Sequence, residues 1–185
     1  GMRLFTGIDL PDEIRGRLRL LIERLKPAAR VNWSSVENLH VTTKFIGEWP
    51  DPRVEELTQA LGEMAPAPGI RIAVEGLGWF PNPRSPRVFW AGIKADPALA
   101  ELARSTDRTC ARLGAPVETR PYSPHLTLAR IKEPAPLDRL REAIAALGET
   151  SFGEFRADRF HLYQSRLTGS GSVYTRLASF PLGVS

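Results

Sequence analysis

Two short stretches of this chain, Leu-His-Val-Thr-Thr-Lys-Phe at residues 39–45 and Pro-His-Leu-Thr-Leu-Ala-Arg at residues 124–130, each carry the pattern His-x-Thr-x among apolar and β-branched neighbours. In a β-strand successive side chains point to opposite faces. His40 and Thr42 therefore share one face while Val41 and Thr43 take the other, and His125 and Thr127 stand together with Leu126 and Leu128 turned away. A fold that accepts both stretches must bury one face of each strand and leave an imidazole beside a hydroxyl on the other. Two such strands facing one another make a small, symmetric site for an anion, with no metal in it.

One His-x-Thr pattern alone is better read as a partly buried histidine bonded to a neighbour. The recurrence changes the balance, because the chain has 3 histidines and two of them fall in matching patterns. A pair of imidazoles can serve as the acid and the base of one reaction.

Taken in order, residues 3–10 alternate as a strand, with Leu4, Thr6 and Ile8 opposite Phe5, Gly7 and Asp9. Residues 12–26 carry Ile14, Leu18, Leu21, Ile22 and Leu25 at helical spacing, stopped by Pro27. Residues 31–33 and 39–46 read as strands. Asp51-Pro52 reads as an N-cap and first helical position for a helix bearing Val54, Leu57, Leu61 and Met64. Residues 70–79 and 87–94 read as two strands joined by a proline-rich loop. Asp96-Pro97 opens another helix that runs to Gly114, residues 122–131 form the second motif strand, and a helix follows from Pro136 to Gly148. Residues 155–167 and 172–180 read as the strands of a terminal hairpin turning at 168–171. The mixture lacks a strict βαβα rhythm and its hairpins demand antiparallel pairing, so the fold class is α+β. The strand and helix order appears twice, which suggests two similar lobes within one domain over residues 1–185.

At 185 residues with 42% hydrophobic content the chain can bury a core without disulfide or metal support. Its lone cysteine, Cys110, lies in a helical stretch and reads as a packing residue suited to a reducing compartment. No apolar run approaches the roughly 18 residues of a membrane span. These features lead to the expectation of a cytoplasmic monomer with no membrane partner. The formal charge of +4 mildly favours an anionic partner, and the basic residues are spread over the chain rather than blocked into an arm.

The paired motifs resemble those of the 2H phosphoesterase superfamily, and their flanks narrow the resemblance to the RNA 2′,3′-cyclic phosphodiesterases, also called 2′-5′ RNA ligases. The opening Arg-Leu-Phe-Thr-Gly-Ile-Asp-Leu-Pro at 3–11, Glu-Asn-Leu-His at 37–40 with Phe-Ile-Gly at 45–47, the second motif at 124–130, and Leu-Tyr-Gln-Ser at 162–165 followed by Gly171 and Tyr174 all match. One departure is Thr43, where that family often has Leu; the position faces away from the site, so little effect is expected. The resemblance implies two lobes, each an antiparallel sheet backed by helices, with one His-x-Thr strand from each lining a central cleft. It implies hydrolysis of the cyclic end to a 2′-phosphate, with RNA bearing 2′,3′-cyclic phosphate ends or related cyclic nucleotides as partner and no cofactor.

The residues are adequate to that chemistry. One imidazole can be held neutral and the other protonated, each transfer being worth typically about 10²- to 10⁴-fold, while Thr42 and Thr127 donate to the phosphoryl oxygens. The working assignment makes His40 the acid and His125 the base. The resemblance also places a phosphate-binding arginine at Arg130. Odd spacing from His125 would turn it to the wrong face, so a bend or bulge at Ala129 is expected, or a position at the strand end from which the long side chain reaches round. Lys44, at even spacing from His40, could face the cleft or simply be solvated. Trp33, Phe45, Trp49, Tyr122 and Tyr163 are candidates to stack on a base, Tyr122 foremost because Pro121 and Pro124 fix its loop beside the second motif. A zinc site joining His161 to His40 and His125 is the weaker alternative, since no carboxylate or cysteine is spaced to complete it and the threonines would have no purpose there. Two other functions use the same residues: ATP-independent 2′-5′ joining of a cyclic phosphate to a 5′-hydroxyl, and non-catalytic binding of RNA ends.

Overall fold

The computed structural model describes residues 1–183. The described residues form two antiparallel sheets. The first contains β1 (Met2–Asp9), β3 (His40–Trp49), β8 (Arg159–Thr168) and β9 (Gly171–Pro181) in the order β3-β1-β8-β9. The second contains β2 (Asn32–Trp33), β4 (Ile70–Phe80), β5 (Val88–Ala95), β6 (His125–Arg130) and β7 (Ser151–Ala157) in the order β2-β6-β5-β4-β7. This is the α+β architecture read from the sequence, with one motif strand in each sheet.

Among the described residues there are four α-helices, α1 (Asp12–Leu25), α2 (Val54–Gly62), α3 (Pro97–Arg112) and α4 (Asp138–Ala145), the last packing on α1. The apolar stripe of α1 is fully engaged, with Leu18 and Leu25 at 0% exposure. The helix crosses over: it follows β1 of the first sheet but packs on β7 of the second, where Ile14 meets Gly153. In the reverse sense, α3 follows β5 of the second sheet and packs on β3 of the first. The buried apolar side chains of both sheets and all four helices form one continuous cluster. Among the described residues no helix is long and apolar enough to cross a membrane.

Two local expectations are corrected. Residues 155–167 are not one strand: β7 ends at Ala157 and pairs with β4, while β8 starts at Arg159 and pairs with β1, so the chain changes sheets at Asp158. No glycine or proline marks that corner; the Asp158 carbonyl instead accepts from Leu182 N at 2.8 Å. Asp51 does not cap a helix with its side chain; Asp51–Arg53 is a 3-10 turn and α2 begins after it. Asp96 does sit at the N-cap of α3, but its carboxylate accepts from Arg71 N at 3.2 Å and ties the helix start to β4.

Candidate active site

Each motif strand carries a bulge at the same place. In the β1–β3 pairing Gly7 faces Thr42 and Thr6 faces Lys44, which leaves Thr43 as the extra residue. In the β5–β6 pairing Trp90 faces Thr127 and Phe89 faces Ala129, which leaves Leu128 extra. Both insertions follow the motif threonine directly. An extra residue reverses the alternation beyond it. Lys44 and Ala129 therefore turn into the core with Thr43 and Leu128, and Phe45 and Arg130 emerge on the face of His40 and His125.

The bulge delivers Arg130 to the histidine face, one residue earlier than Ala129, where a bend was expected. The same device explains Lys44, which neither lines the cleft nor meets solvent: its ammonium is 2.7 Å from Asp107 on α3, with side chains 7% and 17% exposed. Thr43 is buried and shares a 2.7 Å hydrogen bond with the hydroxyl of Thr6, so its departure from leucine is matched by a polar partner.

The histidines are anchored alike. His40 Nδ1 lies 3.1 Å from the carbonyl oxygen of Asn38, and His125 Nδ1 lies 3.0 Å from that of Ser123, two residues back in each case. A carbonyl only accepts, so each Nδ1 carries hydrogen and each Nε2 is the nitrogen left for chemistry. Thr42 and Thr127 are half-buried beside their histidines, as the alternation requires. β3 and β6 pack against one another, and the Tyr122 hydroxyl closes the junction by donating to the Thr42 carbonyl at 2.7 Å. Tyr122 is thus a brace between the two motifs, and burial pushes its phenol well above the usual range.

The surroundings of the two imidazoles differ. His125 borders an open cavity of about 610 Å³ whose lining includes Phe80, Trp90, Leu77, Glu75 and Lys94. Phe80 meets the His125 ring edge to face at 5.1 Å. Trp90 lies flat over Gly78, where an added Cβ would come 2.1 Å from the indole, so the glycine permits that wall. His40 instead sits among aromatic rings, with Tyr163 at 4.7 Å, Tyr174 at 5.7 Å and Phe5 at 6.0 Å between centroids. Its side chain is 6% exposed, and its Nε2 is 3.2 Å from the Asp9 carboxylate.

Asp9 is the residue that the motif reading passed over. Tyr163 and Arg176 both donate to its carboxylate, and His161 Nε2 is 3.5 Å from it. Burial works to raise its pKa, yet the hydrogen bonds from His40 and Tyr163 and the charges of both histidines hold the carboxyl far below the usual range. Burial, together with the bond to Asp9, pushes the Tyr163 phenol up to about 12. His161 is buried, and burial lowers its imidazole against the pull of Asp9. Its Nδ1 is 2.8 Å from the Ser179 hydroxyl, so it belongs to the Asp9 frame on the first sheet. The available signal was the alternation of residues 3–10, which puts Asp9 on the face of Phe5 and Gly7 at the end of an otherwise buried strand. Arg130 reaches toward this half of the site: its charge acts on the Tyr174 phenol, which burial raises.

A fold of two antiparallel sheets, each presenting an anchored imidazole beside a threonine, defines a class of phosphoesterase, and the chain belongs to the 2′-5′ RNA ligase superfamily, whose sequence profile matches residues 10–169. Among its relatives, the RNA 2′,3′-cyclic phosphodiesterase of Archaeoglobus fulgidus is 35% identical over 97% of this chain and 99% of that protein. The crystal structure of TT0787 of Thermus thermophilus superposes with a TM-score of 0.81 at 32% identity, covering 98% of each chain. That of E. coli LigT complexed with 3′-AMP superposes with a TM-score of 0.76 at 28% identity, again covering 98% of each.

Proposed function

We propose that this chain hydrolyses RNA 2′,3′-cyclic phosphate ends to 2′-phosphomonoesters by proton transfer between two imidazoles. The observation that carries the reading is the matched anchoring of His40 and His125, each with Nδ1 on the carbonyl two residues back and each on a strand bulged after its threonine. In the reaction, His125 Nε2 takes a proton from water as its oxygen bonds to phosphorus. The bond from phosphorus to the 3′ oxygen breaks, and that oxygen takes the proton of His40 Nε2. Thr42, Thr127 and Arg130 bind the phosphoryl oxygens, and the strained five-membered ring already presents phosphorus for in-line attack. The acid, the base and the donors are all side chains, so this chemistry calls for no metal ion.

Phe45, 73% exposed on the His40 face, and the half-buried Tyr174 are the rings we assign to stacking on a base. Tyr122 keeps its bracing role. The relatives named RNA 2′,3′-cyclic phosphodiesterase and the nucleotide-bound LigT support an RNA end or cyclic nucleotide as substrate. Both motif strands come from one chain, which supports a monomer as the working unit. The buried, unpaired Cys110 supports a reducing, cytoplasmic setting.

The test is to incubate the protein, with EDTA, with an oligonucleotide ending in 2′,3′-cyclic phosphate and identify the product. A 2′-monoester is expected; a 3′-monoester or no turnover overturns the reading. The superfamily description favours a second reaction of the same site, the reverse joining to a 5′-hydroxyl. It is tested by supplying both ends without ATP.

A further inference from the structure

Both ring nitrogens of His40 face oxygens that can only accept. Nδ1 is 3.1 Å from the Asn38 carbonyl and Nε2 is 3.2 Å from a carboxylate oxygen of Asp9. A neutral imidazole has one N–H and one lone pair, so either neutral tautomer would turn a lone pair toward an oxygen. The ring that satisfies both partners carries two protons. His125 has only the first of these arrangements, with Nδ1 on a carbonyl and no carboxylate partner among the described residues, and it borders the cavity. The two halves of the site share their backbone design and differ in one carboxylate.

We propose that Asp9 is a positioning residue that holds the proton on His40 Nε2 ready for the leaving oxygen, and that Tyr163, Arg176 and His161 hold the Asp9 carboxylate in place. The inference rests on the cyclic phosphodiesterase reading and adds to it the group that makes the two imidazoles unequal.

Of the groups packed around His40, the Asp9 carboxylate favours the proton and the nearby cations oppose it. From β1 comes Asp9, with Phe5 as an apolar neighbour; from β8 come Tyr163 and His161; from β9 come Tyr174 and Arg176. Arg130 on β6 acts on Tyr174, and Arg159 acts on His161. The cluster around His40 thus holds the Asp9 carboxylate, the Arg176 guanidinium that donates to it, and the His161 imidazole, whose Nε2 is 3.5 Å from the same carboxylate. Once the proton has gone to the 3′ oxygen, the Nε2 lone pair is left against the carboxylate, which favours reprotonation before the next turnover.

The experiment compares wild type with Asp9→Asn on the cyclic-phosphate oligonucleotide and on an analogue with sulfur at the 3′ bridging position, whose thiolate departs without a proton. On the natural substrate kcat should fall about 10²-fold with KM unchanged. The alkaline limb of the pH profile should move to lower pH, because a cation that loses its carboxylate gives up its proton more readily. On the sulfur analogue the deficit should close. An unshifted profile, or an equal deficit on both substrates, overturns the proposal. The wild-type protein alone offers a readout independent of folding of the variant and of activity: ¹⁵N NMR of His40 at neutral pH should show two protonated ring nitrogens, and a lone pair at Nε2 overturns the proposal. If the wild type shows this ring yet leaves the cyclic end intact, it is the functional reading that fails, and Asp9 keeps its partner.

Discussion

The hydroxyls of Thr6 and Thr43 lie 2.7 Å apart inside the protein, with Thr6 at 0% and Thr43 at 4% exposure. Thr43 is the bulge residue of the first motif strand, so the pair secures the irregularity that sets the orientation of Phe45 and Lys44. Thr43→Val should leave the Thr6 hydroxyl without a partner and cost about 1–3 kcal/mol. The double change Thr6→Val with Thr43→Val should recover most of that loss. Urea unfolding of the two single variants and the double closes the cycle, and additive losses would refute the coupling.

His40→Ala and His125→Ala should each reduce kcat by about 10²- to 10⁴-fold while thermal unfolding stays near wild type. The two limbs of the pH–rate profile should be lost separately, the alkaline limb with His40 and the acidic limb with His125. A variant that keeps near-normal turnover would break the pairing.

Arg130 reaches the histidine face through the Leu128 bulge, and the role proposed for it is binding rather than proton transfer. Arg130→Met should raise KM about tenfold or more and flatten the dependence of KM on salt, given the strength of charge-assisted bonds to phosphate. Arg130→Lys should fall between, since it keeps the charge and loses the forked donor. Steady-state kinetics at two ionic strengths measures both.

Asp9 also carries a stability dependence on pH. Its carboxyl titrates lower in the folded protein than in the unfolded chain, so its contribution is complete above about pH 4, the unfolded value, and is lost as pH falls toward the folded one. The stability gap between wild type and Asp9→Asn should therefore be widest near neutral pH and shrink below about pH 4. Chemical denaturation at several pH values tests this; a gap that widens in acid contradicts it.

Cys110 is at 0% exposure on α3, and burial raises its thiol to about 11. It should resist a disulfide reagent at pH 8 in the folded protein and react fully once denatured. Fast labelling of the native protein would mean that α3 opens locally.

Much of this was legible in the residues. The His-x-Thr alternation gave the faces of both motifs, and the apolar spacing of Ile14, Leu18, Leu21 and Leu25 gave the buried side of α1. What escaped has a common cause. The change of sheet at Asp158, the bulges at Thr43 and Leu128, and the meeting of Asp9 with Arg176 depend on which strands pair and in what register, and no local pattern encodes that. Arg130 shows the limit well: its spacing from His125 pointed to the wrong face, and only the extra residue, anticipated from family resemblance, turned it round. Lys44 shows the converse, since even spacing pointed it into the cleft and the Thr43 insertion turned it into the core.

The exchange of helices between the sheets has a mechanical result. Each sheet is roofed by a helix whose chain begins in the other, so a cut between the two halves would strip both of their cover at once. Melting is therefore expected as a single event seen alike by every probe, and neither His-x-Thr half should survive expression on its own.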